Sequence, residues 1–136
     1  MAYETFEHTA DIGIRGIGKT LEQAFEEGAK AMFSVMYDIN SVKPAKELKV
    51  KLKAKDREAL FVEWLNRLLA EKEISGLIFS KFKVEFQGDK LIGSAWGEKF
   101  NAKKHKAETE VKAATYSQLK ITEEKGKYIA QCIVDV

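Results

Sequence analysis

The residues best equipped for chemistry lie at the two extremities of the chain. Near the amino end, Glu7-His8-Thr9-Ala10-Asp11-Ile12-Gly13-Ile14-Arg15-Gly16 brings imidazole, hydroxyl and carboxylate together just ahead of an apolar strand. Asp11 reads there either as a hard-cation ligand or general base at the mouth of a strand, or as a turn former beside an ordinary surface histidine, His8. At the carboxyl end, Ile133-Val134-Asp135-Val136 places the Asp135 side chain and the Val136 carboxylate on adjacent residues, after a strand too apolar to fray. Such oxygens suit Ca²⁺, Mg²⁺ or Mn²⁺ rather than Zn²⁺, and a solvated acidic tail is the alternative. Domain termini often lie close together, so a site shared by Asp11, Asp135 and Val136 is geometrically reasonable.

A third group is Lys103-Lys104-His105-Lys106, followed by Glu108-Thr109-Glu110-Val111-Lys112-Ala113-Ala114-Thr115-Tyr116. The basic run can meet phosphate or an acidic partner, or it can be a solvated loop, since acids follow at once. Lys112 precedes a short β-prone stretch, so its stem can lie along apolar surface and fix the ammonium group. Other chemistries are poorly served. Gly16-Ile17-Gly18-Lys19-Thr20 lacks the first glycine of a phosphate loop, although its amides could hold an anion at a helix start. There is no Gly-x-Ser-x-Gly elbow, and two histidines are too few for a histidine-rich metal catalyst. The only cysteine, Cys132, sits in an apolar strand and reads as core packing.

The chain of 136 residues predicts one domain, 1–136, with 45% apolar and 32% charged residues to supply both a core and a soluble surface. A net charge of +2 argues against a protein that grips nucleic acid through its global field. No apolar run approaches a membrane span, and no signal-peptide core opens the chain, so a soluble, cytoplasmic domain is expected.

Two helices must position these groups. Leu21, Ala24, Phe25, Gly28, Ala29, Met32, Phe33 and Met36 recur at helical spacing behind a Thr20/Gln23 capping box. Gly28 on that stripe predicts close packing by another element. A second helix starts after Asp56, buries Leu60, Phe61, Trp64, Leu65, Leu68 and Leu69, turns Asn66 and Arg67 to water, and ends at Gly76. Strands follow the two-residue period. Leu48 to Ala54 alternates with lysines, Ile78 to Phe86 turns at Gly88-Asp89 into Leu91 to Ala95, and a hairpin around Glu124-Lys125-Gly126 joins Gln118–Thr122 to Tyr128–Val134. The last strand is apolar on both faces and should be central. The class is α+β.

Several segments, in order over nearly the whole chain, resemble the archease family. They are Glu7 to Ile14, Leu21-Glu22-Gln23-Ala24-Phe25, the Asp56 to Leu69 helix with Trp64-Leu65-Asn66, Ala95-Trp96-Gly97-Glu98, His105, Glu110 to Tyr116 and Val134-Asp135-Val136. Many members of that family carry His after the Thr-Tyr pair, where this chain has Ser117. The resemblance implies a strand-helix-strand-strand module with an inserted small three-stranded antiparallel sheet. It further implies an accessory protein, not an enzyme, that promotes guanylylation and multiple turnover of the RtcB-type tRNA-splicing RNA ligase. A chaperone-like role for a tRNA cytosine-5 methyltransferase is also implied. Divalent-cation ligands would be Asp11, Asp135 and Val136, with Ca²⁺ foremost, while His8, His105 and Lys112 would contact the ligase or its nucleotide. A small metal-dependent hydrolase using Asp11 and His8 is an alternative. So is direct tRNA binding by Lys49, Lys51, Lys53 and Lys55, which a solvated face or edge protection also explains.

Overall fold

A computed structural model describes all residues from Met1 to Val136. Its helices begin and end where side-chain chemistry demands. Helix α1 (Leu21–Met36) is capped by Thr20, whose hydroxyl accepts from the Gln23 N–H at 3.1 Å. The return bond is displaced by one residue, since Gln23 Oε1 accepts from the Lys19 N–H at 3.0 Å. That bond occupies the Lys19 amide, which is therefore not free to hold an anion. Helix α2 (Arg57–Ser75) starts on Asp56, which accepts from Ala59 N–H at 2.8 Å, and stops at Gly76 with a φ of 74°.

Eight strands make two sheets. In chain order they are β1 (Ala2–His8), β2 (Asp11–Gly18), β3 (Lys46–Lys53), β4 (Leu77–Gln87), β5 (Lys90–Lys99), β6 (Ala113–Ala114), β7 (Lys120–Glu124) and β8 (Lys127–Asp135). The larger sheet runs β1-β2-β8-β6, with β7 also paired to β8, and the smaller runs β3-β5-β4 with every pairing antiparallel. The fold is α+β, as expected, and β8 is central. β1 is an addition to the expected module. Its residues lack a clean two-residue alternation because most are exposed, and pairing with β2 supplies the order that burial does not.

Close approach of backbones sets the packing. A Cβ at Gly16 would land on the Ala24 carbonyl and the Gly28 amide, so α1 lies directly on β2. On the other side of α1, a Cβ at Gly28 would stand 2.6 Å from the Phe61 ring of α2. Trp64 Nε1 then donates to the Phe25 carbonyl at 3.1 Å, tying α2 to α1 across a fully buried contact. Asn66 departs from its expected place on the wet side of α2. Its amide donates to the Ala114 carbonyl at 3.1 Å and accepts from the Ala114 N–H at 2.8 Å, which pins β6. Helical periodicity registers apolar positions and is blind to a half-buried amide that serves a distant strand.

Beyond β5, Glu98 holds three segments together. Its Oε2 accepts from Lys43 N–H at 2.7 Å and Lys104 Nζ at 2.8 Å, and lies 3.0 Å from His105 Nε2. The Lys104 bond, then the Lys43 amide, draws the Glu98 carboxyl down from 4.5 to about 2.

Gly16→Ala should destabilise the fold by about 1–3 kcal/mol, read from urea unfolding, because α1 cannot give way without leaving β2. The Glu98 carboxyl binds its proton less readily folded than unfolded, so its stabilisation is full above pH 4.5 and is lost as pH falls toward 2. Glu98→Gln should flatten that part of the stability–pH curve. An unchanged acid limb would show that Glu98 does not anchor the loop.

Candidate functional site

At the end of the larger sheet where β1 turns into β2, the register assembles a row of functional groups. His8 is paired with Asp11, and Asp135 is paired with Ala113. Between them, the β2–β8 register pairs Ile12 with Val134. Continued by one residue it sets Asp11 opposite Asp135. Directly opposed residues share a face, with Cβ atoms about 4.5–5.5 Å apart. The two carboxylates therefore project from the same side of the sheet, the one turned away from α1. Neither is in an ion pair.

The neighbours of this pair are well held. Thr9 makes the β1–β2 turn with a φ of 54°, a left-handed conformation unusual for a β-branched residue. Phe6 lies flat over Gly13, where a side chain would collide with its ring. Arg15 stacks on Phe6 with its guanidinium carbon 4.8 Å from the ring centre, and bonds Gln131 Oε1 at 3.0 Å and Glu4 Oε1 at 2.6 Å. These contacts stiffen the two central strands just behind the acids. On the far side, Lys112 N–H donates to the Asp135 carbonyl at 2.8 Å, and the Val136 side chain packs against the core. The last peptide is thus anchored on both sides.

The donor set is one of hard oxygens. Nowhere in the chain do three His, Cys, Asp or Glu side chains gather in a cluster able to hold a metal. Asp11 and Asp135, with the Val136 carboxylate, would supply only part of a coordination shell. That fits a cation which keeps open positions for water or for a partner's phosphate oxygens. Like charges directly opposite each other on a sheet are destabilising, and a cation between them would remove the penalty. Beside them the His8 ring is half-buried on the same face, and its Nδ1 is buried with no hydrogen-bond partner.

The remaining candidates are distributed unequally. Lys112 is exposed, so its ammonium is not fixed by apolar surface, but its backbone joins it to the acidic end. His105 is 1% exposed, and both ring nitrogens are engaged, Nε2 with Glu98 and Nδ1 with the Asn101 N–H at 3.0 Å. Its imidazole presents no free nitrogen at the surface. Ser117 lies in the loop before β7, where its carbonyl accepts from Ile133 N–H at 3.0 Å. Cys132 is buried in β8, and burial pushes its thiol up to about 12, which suits packing and not nucleophilic attack. Asn66 and Glu98 were not singled out by sequence reasoning. Both lie within the Trp64-Leu65-Asn66 and Ala95-Trp96-Gly97-Glu98 motifs of the resemblance, which gave them no role.

No helix is long and apolar enough to cross a membrane. A sequence model of the Archease protein family (MTH1598/TM1083) matches residues 3–136. The chain is 43% identical over 136 residues to protein archease of Sulfurisphaera tokodaii, covering 98% of each. It is 41% identical over 139 residues to protein archease of Pyrococcus furiosus, again covering 98% of each. Among solved structures it is similar to protein 1598 of Methanobacterium thermoautotrophicum, with a TM-score of 0.87 at 38% identity over 99% of both chains. A crystal structure from Thermotoga maritima, described as an archease and possible chaperone, shares the fold with a TM-score of 0.65 at 20% identity, covering 98% of this chain and 96% of that one. The family match over residues 3–136, with a relative 43% identical over nearly the whole chain, places this protein in the archease family.

Proposed function

We propose that this protein is an accessory factor that activates an RtcB-type tRNA-splicing RNA ligase, promoting its guanylylation and multiple turnover through a divalent-cation-binding acidic site. The observation that supports this reading best is the convergence of Asp11 and Asp135 on one face at the end of the β2–β8 ladder. Family membership supports the accessory role.

In this reading the chain carries out no covalent step of its own. Asp11, Asp135 and the Val136 carboxylate would hold the cation, Ca²⁺ foremost, with Mg²⁺ or Mn²⁺ as alternatives. The bound cation would supply positive charge to a nucleotide phosphate. Arg15, Phe6 and Gln131 stiffen the strands beneath, so the carboxylates keep their geometry when the partner docks. The half-buried His8 can meet the ligase or its nucleotide from the same face. Lys112 can do so from the opposite flank. Prearranged charge of this kind acts through positioning, which lowers the barrier without chemistry by the helper.

A second reading has its own support, because the Thermotoga maritima relative is described as a possible chaperone. Under it the chain would protect a tRNA cytosine-5 methyltransferase from aggregation, and the acidic pair would be dispensable.

In the presence of a chelator, Asp11→Asn should leave thermal stability unchanged or raise it by a few tenths of a kcal/mol, as the opposed charges are relieved. Adding Ca²⁺ to the wild type at a hundred times its Kd should stabilise it by about 2.7 kcal/mol, and Asp11→Asn should lose that gain. Retention of the full gain would remove the cation from Asp11. With the cognate ligase, Asp11→Ala and Asp135→Ala should each reduce stimulated guanylylation to the level of the ligase alone while circular dichroism stays native. Full stimulation by both variants would refute the ligase reading. Suppression of methyltransferase aggregation by the same variants would favour the second.

A further inference from the structure

The smaller sheet has one face against the helices and one against water, and the two are sharply different. Val50, Phe82, Val84, Leu91 and Ala95 face inward and are buried. On the outward side the register forms four rows across β3, β5 and β4. They are Glu47–Trp96–Lys81, Lys49–Ser94–Lys83, Lys51–Ile92–Glu85 and Lys53–Lys90–Gln87. Six lysines therefore share this face with two glutamates, although the whole chain is only +2, so the remainder is net negative. Lys53 is 3.5 Å from Asp89, and the other five lysines are in no ion pair.

Solvation alone does not account for this. Glutamate wets a sheet face as well as lysine does, and protection of the two sheet edges would call for lysine on β3 and β4 but not on the central β5. Here Lys90 adds a cation on the central strand, so the positive charge continues across the sheet from one edge to the other. Lysines two residues apart on a strand stand roughly 7 Å apart, and the lattice they form offers point charges without an arginine fork. Among them sits Trp96, half-buried, with Lys81 Nζ 4.9 Å from its ring centre. A cation and an aromatic plane at one point suit a phosphate and its neighbouring base.

We propose that the outward face of the β3-β5-β4 sheet is a docking surface for the sugar–phosphate backbone of single-stranded RNA. The lysine lattice neutralises phosphates, and Trp96 offers a contact for a base. An extended polyanion is favoured because the cations are spread over three strands and five of the six are in no ion pair, where a compact anion would need them gathered. The choice of RNA as the polymer rests on the ligase reading above. The binding assay contains no ligase and no added divalent cation, so its failure is separable from failure of that reading.

The test is fluorescence anisotropy of a short labelled single-stranded RNA titrated with the protein over a range of salt. Wild type should bind at low salt, with log K falling against log salt. The triple variant Lys49→Gln, Lys51→Gln, Lys83→Gln should bind more than about tenfold more weakly and lose roughly 2 from the salt slope. Emission from Trp96, assigned with Trp96→Phe, should change when RNA binds. Lys103→Gln with Lys106→Gln, in the other basic segment, should bind RNA like wild type. The proposal is overturned by absence of wild-type binding at low salt, by wild-type affinity in the triple variant, or by loss of binding in the Lys103/Lys106 variant. Polyglutamate competing as well as unlabelled RNA would also overturn it and identify an acidic protein as the partner.

Discussion

The pairing of β2 with β8 is the constraint on which everything else rests. It runs antiparallel from Ile12 opposite Val134 to Gly18 opposite Tyr128, joining the first part of the chain to the last. Side chains on a strand alternate faces, so a slip of one residue in either strand would send Asp11 and Asp135 to opposite sides of the sheet. The register is held from the inward face by Ile14 and Cys132, directly opposed and fully buried. From the outward face it is held by Arg15 on Gln131. Pressure of α1 on the bare backbone of Gly16 completes the clamp. An acidic pair that would repel itself is thus imposed by apolar packing a few residues away.

The two sheets divide the electrostatic work. The end of the larger sheet gathers carboxylates, whereas the outward face of the smaller one gathers unpaired lysines. In the proposed reading, a helper that meets both a nucleotide-metal site and an RNA needs surfaces of opposite sign kept apart. Two sheets packed on a common pair of helices provide that separation. The polar contacts between layers are few and specific. Asn66 on α2 grips β6 beside Asp135, and Glu98 gathers the Lys43 and Lys104–His105 segments. Tyr37, at the end of α1, both donates to the Phe79 carbonyl and accepts from the Phe79 N–H at 2.8 Å, next to the irregularity in β4.

Much of this architecture was legible in residue order. Thr20, Asp56 and Gly76 mark helix ends because capping depends on side chains within a turn of the terminus. The alternation from Leu48 to Lys53 and from Ile78 to Phe86 marks strands because each has one wet and one dry face. β1 left no such trace, since it is mostly exposed and borrows its order from β2. Asn66 and His105 were misplaced for a related reason. Asn66 is drawn inward by Ala114, far away in sequence, and His105 by Asn101 and Glu98 in an irregular loop, and no local period reports either.

The order of residues by itself determined the helices, most strands, the α+β class and the chemical character of Asp11 and Asp135 as oxygen donors, because those follow from neighbours along the chain. Tertiary structure alone decided that Asp11 faces Asp135, that His8 joins them while His105 is sealed beneath Glu98, and that lysines from three strands share one surface. Those facts are set by strand register and packing between distant segments. The opposition of Asp11 to Asp135 joins residues from opposite ends of the chain, and even the short-range contact of His105 with Glu98 follows a loop path that no regular period records.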